Sequence, residues 1–144
     1  MRLLICGDRE WTDAVLIAEF LDSLQERPTV IMEGGQRGTD AIARAAAVSR
    51  NIPVETYDAD WAEFGKAAGP LRNKRMLEVG RPDWVVVFHD HLSKSRGTAN
   101  VLAQARKVGL PTVVVSHTSG PVVVVPTGGL LSKPCNIAGW WRKE

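Results

Sequence analysis

Val30-Ile31-Met32-Glu33-Gly34-Gly35-Gln36-Arg37-Gly38-Thr39-Asp40 reads as one unit: an apolar run of strand length, a turn holding three glycines, and the start of an alanine-rich helix. A strand entering a helix through a glycine turn is half of a β-α-β repeat. The same alternation continues in both directions. Strands are predicted at 3–6, 30–32, 54–57, 84–88 and 112–115, and helices at about 12–26, 39–50, 70–79 and 98–108. The strand segments are continuous Val/Ile/Leu runs, as expected where both faces of a parallel sheet are covered. The order predicts an α/β fold: a single Rossmann-like doubly wound domain with a mainly parallel sheet of order 3-2-1-4-5. Ligands of such sheets bind beyond the carboxyl ends of the strands, where the strand order reverses.

Several boundaries carry their own chemistry. Pro70 suits a first helical turn and Gly80 a helix end, while Gly109-Leu110-Pro111 stops the next helix before the fifth strand. After Ser116 the pattern changes, with Pro121, Pro126, Gly128-Gly129 and Pro134 surrounding one more apolar run at 122–125. Residues 1–116 are therefore read as the α/β domain and 117–144 as a C-terminal extension, a strand plus a tail ending in Trp140-Trp141. That apolar extension is a candidate surface for homo-oligomerisation, or for packing on its own subunit.

Composition narrows the class. The 144 residues are 44% hydrophobic and carry 18 basic against 16 acidic side chains, a net charge of +2. That balance describes one globular domain, not a disordered chain or a strongly polycationic one. Twelve of the basic residues are arginines, but no run of like charge forms a basic stripe, so a nucleic-acid partner is not expected. Neither a membrane span nor the apolar core of a signal peptide is evident, and cytoplasmic location is the expectation. Cys6 and Cys135 make no disulfide framework and no zinc spacing, which fits a reducing compartment. His89-Asp90-His91 alone is too few ligands for a metal, and none is expected.

The candidate site residues fall on the loops that leave the strands. Gly34, Gly35, Gln36, Arg37, Gly38, Thr39 and Asp40 offer backbone amides at a helix start plus a guanidinium, a phosphate-sized anion site. It lacks the P-loop lysine and the GxGxxG spacing. A second loop, His89 to Asn100, carries Ser95-Arg96-Gly97-Thr98 into the next helix, and Gly7-Asp8-Arg9 follows the first strand. On the helix at 70–79, Arg72 and Asn73 share the apolar sector of Met76, Leu77 and Val79, so they need either a ligand or internal acceptors. Trp61 is a candidate for stacking on a base, or for ordinary packing.

Five motifs in order resemble the YspA-type branch of the SLOG superfamily: 6–11, 34–40, Asp60-Trp61, 68–76, and 88–90 with 95–99. The superfamily has a Rossmann-like fold and includes the DprA DNA-processing proteins and the Lonely-guy phosphoribohydrolases. The resemblance covers roughly residues 2–115. It implies a pocket for a nucleotide or nucleotide-derived ligand in a sensor, sequestering or processing protein of bacterial or phage type, with no cofactor required. Lonely-guy enzymes place a glutamate after a Gly-Gly-x-Gly-Thr motif; here that position is Val101, and Lys94-Ser95-Arg96 replaces the first glycine pair. For an N-glycosidic hydrolase or transferase, Asp40 or Glu33 is the candidate carboxylate that would stabilise an oxocarbenium-like ribosyl centre. A third reading, DprA-like binding of nucleic acid, rests on the distant relation alone.

Overall fold

The computed structural model describes residues 1–124. Its strands are β1 (Arg2–Gly7), β2 (Val30–Glu33), β3 (Val54–Thr56), β4 (Trp84–Phe88), β5 (Thr112–Ser116) and β6 (Gly120–Val124). Its helices are α1 (Ala14–Ser23), α2 (Thr39–Ser49), α3 (Trp61–Phe64), α4 (Ala68–Glu78) and α5 (Arg96–Lys107). They form one sheet of order β3-β2-β1-β4-β5-β6. The first five strands are parallel, in the expected order 3-2-1-4-5, and β6 adds an antiparallel edge.

The apolar runs explain the two layers. Successive strand residues point to opposite faces. Leu3, Ile5, Val86 and Phe88 accordingly pack with Leu16, Ile17 and Phe20 of α1 and Ala43 and Ala47 of α2. Leu4, Met32, Val85 and Val87 pack with Met76 and Leu77 of α4 and Val101, Leu102 and Ala105 of α5. With helices on both sides, alternation of polar and apolar residues would bury polar groups, so both parities of β4 are apolar. The order in which strands are added reverses between β1 and β4, and the site opens there.

Local chemistry moves some ends. Asp13 caps α1, accepting from the Leu16 amide at 3.0 Å, so this helix starts two residues later than predicted. Ser95 caps α5, accepting from the Thr98 amide at 3.3 Å, which starts that helix earlier, at Arg96. The short α3, absent from the sequence reading, has its signal in Asp60-x-x-Glu63: the Asp60 carboxylate accepts from the Glu63 amide at 3.0 Å.

The turn between β5 and β6 is too short for a crossover, so β6 returns antiparallel. At that turn His117 lies on the Trp11 ring, with centroids 4.6 Å apart. Its Nδ1 meets Asp90 Oδ2 at 2.7 Å and its Nε2 meets Asp13 Oδ2 at 2.8 Å. One imidazole thus ties the α1 cap, the loop after β4 and the β5–β6 turn together. Trp140, Trp141 and Val125 of the expected extension lie outside the described residues. No helix among the described residues is long and apolar enough to cross a membrane.

Candidate functional site

The loops after β1, β2 and β4 meet at the carboxyl edge of the sheet and are laced by backbone bonds. The Asp8 amide donates to the Phe88 carbonyl at 2.9 Å, and the Thr39 amide and hydroxyl both donate to the Asp8 carbonyl, at 3.1 and 3.0 Å. Gly38 makes the approach feasible: its φ is 73°, and a Cβ there would stand 2.3 Å from the Arg9 carbonyl oxygen. Between these loops and the start of α4 lies a cleft of about 470 Å³.

The cleft gathers Gly7, Asp8, Arg9, Gly34, Gln36, Asp40, Arg72, Asn73, His89, Ser95, Arg96, Gly97 and Thr98, all candidates from the sequence. It also holds Cys6, Glu10, Met76, His91, Lys94 and Val101, which the sequence reading did not single out as site residues. Spacing carried a signal for two of them. Met76 stands four residues after Arg72, and Val101 four after Gly97, so each shares its helix face.

Six candidates are not in the cleft lining. Glu33 is wholly buried, and its Oε2 accepts from the Gly35 amide at 2.6 Å. Its Oε1 accepts from the Thr56 hydroxyl and lies 3.5 Å from Arg44 Nε. Gly35 and Gly38 shape the turn, and Thr39 holds the Asp8 carbonyl. Arg37 reaches outward to pair with Glu10. Trp61, 47% exposed, lays its ring against Gly69 at the start of α4.

Three of the amides that the 34–38 loop offers to an anion are engaged by the protein itself. Asp40 Oδ2 accepts from the amides of Gly34 and Gln36, each at 3.2 Å, and Glu33 takes Gly35. The first turn of α5 is different: Ser95 occupies the Thr98 amide, leaving those of Arg96 and Gly97 without intrahelical partners. A Cβ on Gly97 would meet no protein atom within 4 Å. Lys94 and Arg96 stand beside that turn.

Opposite it is Arg72, only 8% exposed. Its Nε donates to Asn73 Oδ1 at 2.9 Å and its Nη1 to the Gly34 carbonyl at 2.5 Å. Its Nη2 has no partner, and no carboxylate pairs with it, among the described residues. Burial lowers the Arg72 pKa from its ordinary value, with Asp40 opposing. Burial likewise pushes the Asp40 carboxyl up to about 6; Glu33 adds to this, while the loop amides and Arg72 oppose it. Asn73 Nδ2 donates to Asn100 Oδ1 at 3.1 Å and to the Gly97 carbonyl at 3.4 Å, fixing α4 against α5. His89 Nδ1 accepts from the His91 amide at 2.8 Å, which leaves Nε2 to carry the proton of the neutral ring. Among the described residues no group of three or more His, Cys, Asp or Glu side chains is arranged to hold a metal ion.

Residues 1–64 match the YAcAr family, described as the YspA, cpYpsA-related SLOG family. The Gene 61 protein of Mycobacterium phage D29 is 37% identical over 120 residues, spanning 78% of this chain and 94% of the relative. The chain belongs to this SLOG family. Solved structures show the same fold beyond sequence similarity. The DNA processing protein A (DprA) of Streptococcus pneumoniae superposes with a TM-score of 0.62 at 16% identity, and protein VC1899 of Vibrio cholerae with 0.55 at 16%. The matches cover 79% and 90% of this SLOG chain, which spans half of the DprA chain and 34% of VC1899. The family assignment agrees with the motifs quoted above, and the structure brings segments 6–11, 34–40, 68–76, 88–90 and 95–99 to one edge of the sheet.

Proposed function

We propose that this SLOG chain binds a nucleotide or nucleotide-derived small molecule in the cleft between β1 and β4, as a sensor, sequestering or processing protein. The observation that carries the reading is Arg72, a buried guanidinium with an open Nη2 in a cleft that also holds the uncapped amides of α5. A buried cation without a carboxylate is costly, and an anion from the cleft removes the cost. Phosphate binds at Arg96 and Gly97, where the helix end is positive and Gly97 leaves open space. Arg72 holds phosphate or ribose, Asn73 orients it by accepting from its Nε, and Asp40 faces the sugar. The cleft mixes Arg9, Lys94 and Arg96 with Asp8, Glu10 and Asp40, which suits one small anion better than a nucleic-acid backbone.

Thermal denaturation against nucleotides, nucleotide sugars and ADP-ribose-type compounds tests this. A ligand at 100 times its dissociation constant adds about 2.7 kcal/mol to the folded state, a clear rise in Tm. The rise is expected to vanish in Arg72→Ala; a ligand that stabilises both proteins equally would refute the assignment. A second reading, cleavage of an N-glycosidic bond, is supported by Asp40, a cleft carboxyl held at about 6. Chromatography of the same mixtures decides it: free base released by the wild type and not by Asp40→Asn makes the protein an enzyme.

A further inference from the structure

Asp40 and Arg72 are opposite charges, 5% and 8% exposed, that do not form an ion pair. They are close neighbours. A Cβ on Gly34 would stand 2.6 Å from Arg72 Nη1 and 3.2 Å from Asp40 Oδ2. Each uses part of its hydrogen-bonding capacity on the same loop: Asp40 Oδ2 holds the Gly34 and Gln36 amides, and Arg72 holds the Gly34 carbonyl. Asp40 Oδ1 and Arg72 Nη2 are left without protein partners among the described residues, in a cleft both side chains line.

An anion that reaches Arg72 from the cleft brings a second negative charge beside the Asp40 carboxylate. Two such charges in a poorly solvated pocket resist joint ionisation, and protonating the weaker acid relieves them. We propose that anion binding in this cleft is coupled to uptake of a proton, and that Asp40 is the group that takes it. The proposal rests on the nucleotide reading above. Protonation turns Oδ1 from a repelling acceptor into a donor toward the ligand's oxygen, while Oδ2 keeps its two amides.

The groups around Asp40 support this assignment. Glu33, from β2, adds negative charge but is itself held by Gly35, Thr56 and Arg44. Cys6, from β1, has its thiol pushed up by burial and stays neutral. Arg72, from α4, is the cation that most opposes protonation of the carboxyl among the described residues, and it is the group this reading gives to the ligand. In the free protein Asp40 titrates at about 6, so above neutrality it is ionised and has a proton to gain. Arg9 and His89 line the same cleft, where the His89 Nδ1 is taken by the His91 amide.

Isothermal titration of the full chain with ADP and with inorganic pyrophosphate, in buffers of different ionisation enthalpy between pH 5.5 and 8.5, measures the protons taken up. Wild type is expected to gain a proton at pH 7.5 that Asp40→Asn does not. Asparagine keeps the acceptor for Gly34 and Gln36, and the NMR midpoint of Asp40 itself separates its proton from one taken by the ligand. Wild-type affinity should fall relative to Asp40→Asn by up to about tenfold per pH unit above pH 6. The Asp40 carboxyl carbon, followed by NMR, should titrate at higher pH in the bound protein than in the free one. Equal proton uptake in wild type and Asp40→Asn, or an Asp40 midpoint that ADP leaves unmoved or lowers, overturns the proposal and leaves the nucleotide site standing. No binding of either probe at any pH would overturn both.

Discussion

Replacing His117 by asparagine should destabilise the protein more at pH 5.5 than at pH 8.5. His117 hydrogen-bonds Asp90 and then Asp13, and both contacts raise its pKa above the ordinary 6.5, with burial opposing. Burial works against ionisation of Asp13 and Asp90, but the bonds from His117, aided by backbone amides, outweigh it and hold both below the usual 3.8. A raised histidine contributes stability that is fully present below its unfolded value and lost as pH rises through the folded one. Lowered carboxylates contribute above their unfolded value and lose it as pH falls through the folded one. The clamp is therefore strongest between roughly pH 4 and 6.5.

The three side chains are 47%, 36% and 31% exposed, so solvent screening applies. Two exposed pairs at about 0.5 kcal/mol each give an ionic contribution near 1 kcal/mol. For a domain of this size that is roughly 3–5 °C in Tm. The apolar part of the stacking on Trp11 is common to both pH values and cancels when the deficits of His117→Asn at pH 5.5 and 8.5 are subtracted, while the cation–π part adds to the ionic difference. Calorimetry at both pH values, repeated at high salt, provides the numbers. A deficit that is equal at the two pH values would refute an ionic clamp and leave only ring packing.

Gly38, in the turn before α2, and Gly97, in the first turn of α5, should behave oppositely. Gly38→Ala meets the Arg9 and Asp8 carbonyl oxygens at 2.3 and 2.5 Å from a backbone with φ of 73°, and is expected to cost about 2–3 kcal/mol in denaturant unfolding. Gly97→Ala meets nothing and sits in a helix, so it should add about 0.5 kcal/mol while weakening nucleotide binding by crowding the amides; stabilisation with unchanged affinity would move the phosphate elsewhere. Ser95→Ala removes the α5 cap and should cost about 1 kcal/mol by the same unfolding assay. Together with the Arg72→Ala and Asp40→Asn experiments, these variants separate packing from ligand contact around one cleft.

The sequence by itself determined the order of elements, the parallel five-strand core and the edge where the candidate loops gather. Those features rest on local signals: apolar runs of strand length in β1, β2, β4 and β5, a glycine turn leading into α2 and a serine cap before α5. Side-chain pairing is not local, and there the tertiary structure decided. Residues 34–38 carry the composition of an anion cradle, but Asp40 and Glu33 fold back onto their amides, a matter of side-chain direction that composition does not encode. Arg72 and Asn73 were legible as buried polar residues from helical spacing; that Asn73 is satisfied by α5 while Arg72 keeps an open nitrogen depends on how α4 meets α5 and the β2 loop. Asp13, Asp90 and His117 belong to three separate loops, and only the switch in strand order between β1 and β4, with β5 beside β4, brings them to one imidazole.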